Sequence, residues 1–226
     1  MKNPNLVKLS FLKKGLLIVL GFGISPYRAC GVVGQSPTCL VVLVCIGIWD
    51  FLSAIWLMLP AYITNASAAF FGGKTPIDRG LYWGKNRLLG DGKTYEGLLK
   101  GVSCGFLFGI LQHLVLSGYI PITPSFGIFP FFLVSLFCLS AGAMIGDLLG
   151  SFMKRRLGLK RGTPLPLVDQ LDFVGGAWLL LFLVARTWFI ETFSVEIILA
   201  VIILTPVLHL FTNYIGFKIG KKTVPW

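Results

Sequence analysis

Acidic and basic residues are concentrated between positions 147 and 172, in a pattern that could bind a metal ion and a phosphate group. The side chains concerned are Asp147, Ser151, Lys154, Arg155, Arg156, Asp169 and Asp172. Asp147, Lys154 and Arg155 are spaced i, i+7 and i+8, so they share one face if the segment is helical. Mg²⁺ prefers hard oxygen ligands and is commonly held by a few carboxylates together with substrate phosphates. The pattern therefore predicts a Mg²⁺ site with Asp147, Asp169 and Asp172 as the metal ligands.

Purely structural roles are an alternative for the same side chains. Asp147 can be neutralised by the arginines at the end of its own helix. Asp169 and Asp172 stand at a predicted helix start, where the helix dipole and the unpaired backbone N–H groups favour carboxylates.

A second polar segment, Asp91-Gly92-Lys93-Thr94, has the residue types that suit a phosphate group. Gly92 lets the backbone approach closely, Lys93 supplies charge and Thr94 supplies a hydroxyl. The glycine that opens the P-loop motif is missing, which excludes a P-loop nucleotide-binding fold. Thr94 could instead cap the N-terminus of the helix that follows.

The composition indicates which elements must position these segments. Hydrophobic residues make up 55% of the 226-residue chain and charged residues only 13%, about half of the ~25% typical of a soluble domain. Five stretches, at about 40–63, 98–120, 128–149, 173–189 and 195–217, are apolar enough to cross a bilayer. The predicted fold is therefore an all-α, multi-pass membrane protein, built as a bundle of five transmembrane helices.

The chain is predicted to divide into an N-terminal extension and a membrane domain. Residues 1–38 form the extension, which is either a weak sixth membrane segment or dispensable. Residues 39–226 form the transmembrane domain, with two large cytoplasmic loops at 64–97 and 150–172.

Basic residues predict the orientation. Segments 64–100 and 150–172 hold six and five Lys or Arg residues, whereas the connection 121–127 holds none. The positive-inside rule therefore places both segments, and the candidate site, on the cytoplasmic side of the cell membrane. The net charge of +11 is explained by this bias, by anionic lipids or by a polyanionic substrate, so nucleic acid is not an expected partner.

Glycines recur at every fourth position in the second and third predicted spans. They are Gly97, Gly101, Gly105 and Gly109, then Gly142, Gly146 and Gly150. Such stripes let helices pack closely in a membrane, and they could also serve between the subunits of a homodimer. His209, inside the last predicted span, is interpreted as a buried packing residue.

Three motifs, taken in order, resemble the CDP-archaeol synthase family. They are Gly90-Asp91-Gly92-Lys93-Thr94-x-x-Gly97, Gly146-Asp147-x-x-x-Ser151-x-x-Lys154-Arg155-Arg156 and Asp169-Gln170-Leu171-Asp172. The plan is also similar to phosphatidate cytidylyltransferase, in which His-Gly-Gly precedes the paired aspartates. Here Pro166-Leu167-Val168 stands at that place, which favours the archaeal branch. The resemblance covers roughly residues 45–222.

The resemblance implies a Mg²⁺-dependent transfer of CMP from CTP to 2,3-bis-O-geranylgeranylglycerol 1-phosphate, which gives CDP-archaeol and pyrophosphate. The expected partners are CTP, this polyprenyl ether lipid phosphate and membrane lipids. The residues expected to act in catalysis are Asp147, Asp169, Asp172, Lys154 and Arg155. Those expected to bind the nucleotide are Asn65, Thr75, Asp78, Asp91, Gly92, Lys93 and Thr94, and those expected to hold the lipid phosphate are Ser151 and Arg156.

Other functions fit the sequence less well. A phosphatidate cytidylyltransferase that makes CDP-diacylglycerol would use the same chemistry on different tails. A transporter predicts charges near the bilayer midplane and paired broken helices, whereas the charges here cluster in loops. A CDP-alcohol phosphotransferase needs an aspartate-rich motif that is absent, and a lipid-binding scaffold does not need three carboxylates inside basic loops.

Overall fold

The computed structural model describes residues 46–116, 124–160 and 163–220. The chain divides into two compact units, Met1–Cys45 and Ile46–Trp226, and every described residue belongs to the second. The predicted extension 1–38, with its sixth segment, and the start of the first predicted span lie outside the described residues.

Helices dominate the described part of the chain. They are α1 (Ile48–Phe71), α2 (Tyr95–Leu111), α3 (Phe131–Arg156), α4 (Val168–Val184), α5 (Arg186–Thr192) and α6 (Val195–Lys218). A π-helical stretch, Gln112–Leu116, continues α2. Four segments are long and apolar enough to cross a membrane: Ile48–Phe71, Tyr95–Val115, Phe131–Arg156 and Val195–Lys218. The molecule is therefore a mostly helical membrane protein, as the composition predicted.

The helix bounds differ from the predicted apolar stretches at the polar ends. α1 continues to Phe71 and α3 to Arg156, well past the predicted ends at 63 and 149. Hydropathy locates the apolar part of a helix, but the backbone can stay helical after the chain reaches water. The connections are therefore 72–94 and 157–167, shorter than the predicted loops 64–97 and 150–172.

α4 also departs from the predicted fourth span at 173–189. It begins at Val168, has 17 residues and ends at Val184. Ala185 then leaves the helical conformation, and the short helix α5 follows. The predicted single stretch is thus divided between two helices.

The connection 72–94 holds a small β-hairpin that the sequence did not predict. β1 (Tyr82–Trp83) pairs antiparallel with β2 (Asn86–Arg87), with Tyr82 opposite Arg87. Gly84 lies between the strands with φ +66°, a conformation that glycine adopts without steric cost. An isolated bridge between Pro76 and Thr94 joins the two ends of the connection.

The two glycine stripes let α1 pack on α2 and α3 pack on α4. A Cβ atom added at Gly101 would lie 2.8 Å from Ala68 Cβ, and one at Gly142 would lie 2.7 Å from Ala177 Cα. These distances leave no room for a methyl group, so the predicted close packing is confirmed. Because both stripes are buried within the chain, they no longer support a homodimer, which stays a prediction.

One apolar core joins the helices that surround the site. Leu57 of α1, Leu139 of α3, Leu181 of α4 and Val201 of α6 are all fully buried in it. The polar ends of these helices are therefore held at fixed positions relative to one another.

Candidate active site

A cavity of about 800 Å³ lies among α1, α6 and the polar parts of α3 and α4. Six of the predicted site residues line it: Asn65, Gly92, Lys93, Thr94, Asp147 and Asp169. This volume is in the range of small-molecule sites, roughly 300–1,000 Å³. The structure therefore brings the two separately predicted polar segments to one place.

An ion pair between Lys93 and Asp147 forms part of the cavity wall. Lys93 Nζ lies 2.5 Å from Asp147 Oδ2, and the two side chains are only 24% and 18% exposed. Lys93 comes from the connection before α2, whereas Asp147 lies within α3. Charge-assisted contacts of this kind are short and strong when partly buried, so the pair fixes the connection onto α3.

A second ion pair joins the end of α3 to the start of α4. Lys154 Nζ lies 2.7 Å from Asp169 Oδ1. Asp169 Oδ2 also accepts a hydrogen bond from the Leu165 N–H at 3.0 Å. Asp169 thus holds Leu165, which precedes α4, and it still borders the cavity. The N-cap residue of α4 makes no side-chain cap hydrogen bond, so the expected capping is not observed.

Asp172 lies behind the cavity wall, between α3 and α4, just before the apolar part of α4. A Cβ atom added at Gly150 would lie 3.0 Å from Asp172 Cγ, so the carboxyl group fills the space that this glycine leaves. The carboxyl groups of Asp172 and Asp147 are also close enough to interact electrostatically. The carboxylates of Asp147 on α3 and Asp172 on α4 therefore repel each other.

The three aspartates have the donor chemistry of a magnesium site but are not arranged around one point. Among the residues that the structure describes, no group of three His, Cys, Asp or Glu side chains is placed to hold a metal ion. Lysine ammonium groups neutralise Asp147 and Asp169 instead. Carboxylate oxygens are ligands that Mg²⁺ prefers. The three aspartates therefore have the right chemistry for this metal, although lysines contact Asp147 and Asp169.

Asp78 organises the connection that carries Lys93. Its carboxylate is buried and accepts hydrogen bonds from the Arg87 guanidinium and from the N–H groups of Leu89 at 3.1 Å and Gly90 at 2.8 Å. Burial alone would raise the pKa of Asp78, but Arg87 and the backbone N–H groups hold it well below its usual range. Asp91, which is 61% exposed, contacts Arg87 from the solvent side.

Arg156 and Arg155 attach the same connection to α3. Arg156 donates to the carbonyl oxygens of Trp83 at 2.6 Å and Arg87 at 2.9 Å. Its guanidinium carbon also lies 5.4 Å from the ring centroid of Trp83. Arg155 Nε donates to the Leu89 carbonyl oxygen at 3.4 Å. Both arginines therefore hold backbone carbonyl groups, and neither lines the cavity.

Three further predicted residues have local structural partners or lie in the interior. Thr94 Oγ1 accepts from the Gly97 N–H at 3.2 Å, which confirms the alternative that Thr94 caps α2. Thr75 Oγ1 donates to Glu96 Oε1 at 2.7 Å. Ser151 is buried on α3. The sequence thus located the connection correctly but did not separate its cavity-lining residues from its supporting ones.

Comparisons with known proteins agree with this geometry. The family model described as CarS-like, CDP-archaeol synthase, matches residues 46–226. A CDP-archaeol synthase of Methanosarcina barkeri is 51% identical over 175 residues, which cover 75% of this chain and 100% of that protein. Another, of Thermococcus gammatolerans, is 45% identical over 175 residues, with 76% and 95% covered. The chain belongs to the CDP-archaeol synthase family.

A solved structure extends the CDP-archaeol synthase comparison to the fold. It is reported as an intramembrane enzyme for archaeal membrane lipid biosynthesis, and it is 38% identical, with a TM-score of 0.58. The match covers 72% of this chain and 94% of that one. The predicted family and the predicted function, a membrane-embedded transferase of archaeal lipid biosynthesis, are therefore confirmed.

The motifs of this CDP-archaeol synthase family member did not reveal every residue around the cavity. Arg87 and Glu96 were missed as partners of Asp78 and Thr75, because both contacts depend on the conformation of the connection 72–94, which has no periodic signal in the sequence. The sequence analysis also missed polar residues of α1 and α6 that line the cavity, among them Tyr62 and Thr205. Polar residues at intervals of four in the apolar α6 were the available signal.

Proposed function

We propose that the 800 Å³ cavity is the site at which CMP passes from CTP to 2,3-bis-O-geranylgeranylglycerol 1-phosphate. The observation that carries this proposal is the pair of lysine–carboxylate contacts, Lys93 with Asp147 and Lys154 with Asp169. One of these contacts lies in the wall of a cavity whose other walls are largely apolar. Such a site can receive a polyanion at its charged end and hydrocarbon chains along its remaining surface.

The reaction joins two anions, so its main requirement is control of charge. An oxygen of the lipid phosphate attacks the α-phosphorus of CTP and forms a new P–O bond. The bond from the α-phosphorus to the bridging oxygen breaks, and pyrophosphate leaves with the electron pair. A phosphate monoester is already ionised at pH 7, so positioning and electrostatic stabilisation supply most of the rate.

Lys93 and Lys154 are the cations that we assign to the triphosphate. Each now neutralises one carboxylate and can exchange that partner for phosphate oxygens, which accept charge-assisted hydrogen bonds equally well. Mg²⁺, which we assign to Asp147, Asp169 and Asp172, would when bound reduce the charge of the triphosphate.

We also propose that the apolar part of α4 crosses the membrane as a fifth span and that the site faces the cytoplasm. Twelve Lys and Arg residues stand in the described ranges. Eleven of them lie in 74–100, in 154–160 or at Lys218, and Arg186 alone stands between α4 and α6. With five spans, the eleven share one side of the bilayer, which the positive-inside rule makes cytoplasmic.

The orientation is tested by single cysteines introduced into a variant that lacks the natural ones. Lys85→Cys and Arg186→Cys should react with a membrane-impermeant maleimide from opposite sides of sealed vesicles. Labelling of both from the same side would refute the five-span arrangement.

The function is tested by following transfer of α-³²P-labelled CTP into the lipid phase. Purified protein is given either 2,3-bis-O-geranylgeranylglycerol 1-phosphate or phosphatidic acid, with Mg²⁺ or with EDTA. We expect transfer to the isoprenoid lipid that EDTA abolishes and Mg²⁺ restores. Transfer to phosphatidic acid alone would refute the substrate, and transfer unaffected by EDTA would refute the metal.

A further inference from the structure

The last long helix, α6, carries polar side chains on a face that borders the cavity. Thr205, His209 and Asn213 are spaced at intervals of four and all line the cavity. Residues four apart lie on the same face of a helix, and most of the other residues of α6 are apolar. His209 therefore belongs to a continuous polar strip and not to isolated packing.

The polar strip meets a tyrosine of α1 across the cavity wall. The hydroxyl oxygens of Tyr62 and Thr205 lie 2.8 Å apart. Since one hydrogen bond between two hydroxyl groups uses only one of their two hydrogens, the pair retains a donor hydrogen for another acceptor. Thr205 is fully buried and Tyr62 is partly exposed, so when Thr205 donates to Tyr62 the hydrogen of the Tyr62 hydroxyl is the one that can reach an acceptor in the cavity.

His209 and Asn213 form the second contact of the strip. Asn213 Nδ2 and His209 Nδ1 lie 3.2 Å apart. We define the polar wall as Tyr62, Thr205, His209 and Asn213. All four side chains carry hydrogen-bonding groups and line the cavity.

The polar wall borders the same cavity as Asp147, which the proposed function places at the reaction site. Polar side chains within membrane helices are costly and commonly mark a substrate path. Apolar residues that also line the cavity, Leu208 and Ile215, alternate with the polar ones on α6.

We infer that the polar wall binds the glycerol phosphate head group of the acceptor lipid, an inference that rests on the function proposed above. The cavity presents the Lys93 ammonium group at the connection before α2, hydroxyl groups on α1 and α6, and hydrocarbon surface beside those hydroxyl groups. The first suits a triphosphate, whereas the second and third together suit a lipid head group and its chains. Uncharged donors can orient the lipid phosphate without the strong cation that would weaken its oxygen as a nucleophile.

The test compares Thr205→Val, which loses the hydroxyl at nearly constant volume, with Thr205→Ser, which keeps it. Tyr214→Phe is the matched control, because it removes a hydroxyl from the same helix outside the cavity lining. We expect Thr205→Val to raise the KM for the lipid phosphate about fivefold, in the range of one lost hydrogen bond. The KM for CTP should stay within about twofold, and Thr205→Ser and Tyr214→Phe should behave like the natural protein.

Two further measurements separate this inference from the proposed function. Binding of the lipid phosphate without CTP is measured by microscale thermophoresis in detergent, and thermal midpoints verify that each variant is folded. If the natural protein binds the lipid but transfers no CMP, the proposed function fails while the polar wall remains testable by binding. A rise in the KM for CTP instead of the lipid, or no change in either value, would overturn the inference. Tyr62→Phe supplies an independent conservative variant that removes the other hydroxyl of the pair.

Discussion

Removal of the Asp78 carboxylate should release the connection 72–94 while leaving the helix bundle folded. Asp78→Ala leaves the Arg87 guanidinium, which is only 20% exposed, without its buried partner. Breaking a buried ion pair from one side costs about 3–5 kcal/mol. Because Arg87 keeps some access to water, we take the lower end, about 3 kcal/mol. Each 1.4 kcal/mol is a factor of ten, so the open form of the connection should become about a hundredfold more populated.

Limited proteolysis with trypsin measures this opening directly. Cleavage follows the population of the open form when opening and closing are fast relative to cleavage. Asp91→Ala is the matched control, because Asp91 contacts the same arginine but is 61% exposed, and exposed ion pairs contribute about 0–1 kcal/mol. Its cleavage rate should rise by about fivefold at most. Similar cleavage rates for the two variants would refute the assignment of Asp78 as the buried anchor.

Three further predictions concern pH, packing and charge. The pKa of Asp78 is held below its usual range, so Asp78 stabilises the connection 72–94 fully above the unfolded pKa of about 3.9. This stabilisation is lost as the pH falls further. Cleavage of 72–94 by pepsin should therefore accelerate only below about pH 4. Gly176→Ala places a methyl group against the backbone of α3 and should lower stability by about 1–3 kcal/mol in thermal unfolding, whereas Gly175→Ala, with open space around it, should not. Lys154→Gln should raise the KM for CTP about tenfold, as expected for the loss of a charge-assisted hydrogen bond of about 1.5 kcal/mol. The control Lys160→Gln, at an exposed position, should change this KM less than twofold. Equal effects of the two substitutions would contradict the assignment of Lys154 to the triphosphate.

The positions of the charged segments could be predicted because the bilayer excludes charge. Lys93 and Asp147 are 54 residues apart, yet both had to lie outside or at the edge of apolar stretches. The glycine stripe through Gly101 and Gly105 was predictable for a similar reason, since close helix packing in a membrane needs small residues at regular intervals. These features follow from average properties of long segments.

The internal contacts of the connection could not be predicted, because they depend on one loop conformation. Asp78 is buried only because the chain returns Arg87 and the Gly90 N–H to its carboxylate, and Gly90 does so at φ +91°. Arg156, predicted to bind a lipid phosphate, lies against backbone carbonyl groups of the hairpin for the same reason. That predicted role stays a prediction, and its observed contacts favour a positioning role.

Substitution of Asp147 by asparagine tests the central claim most directly, because it removes one charge from the cavity wall and keeps the shape of the side chain. The measurement is the rate of transfer of labelled CMP from CTP to the isoprenoid lipid phosphate, with the thermal midpoint as the control for folding. Glu191→Gln, on the exposed surface of α5, is the matched control for loss of a carboxylate. We predict a decrease of at least about a hundredfold for Asp147→Asn, the size expected when an electrostatic group at the reacting atoms is lost, and no decrease for Glu191→Gln. A folded Asp147→Asn protein with turnover close to that of the natural protein would contradict the assignment of this cavity as the active site.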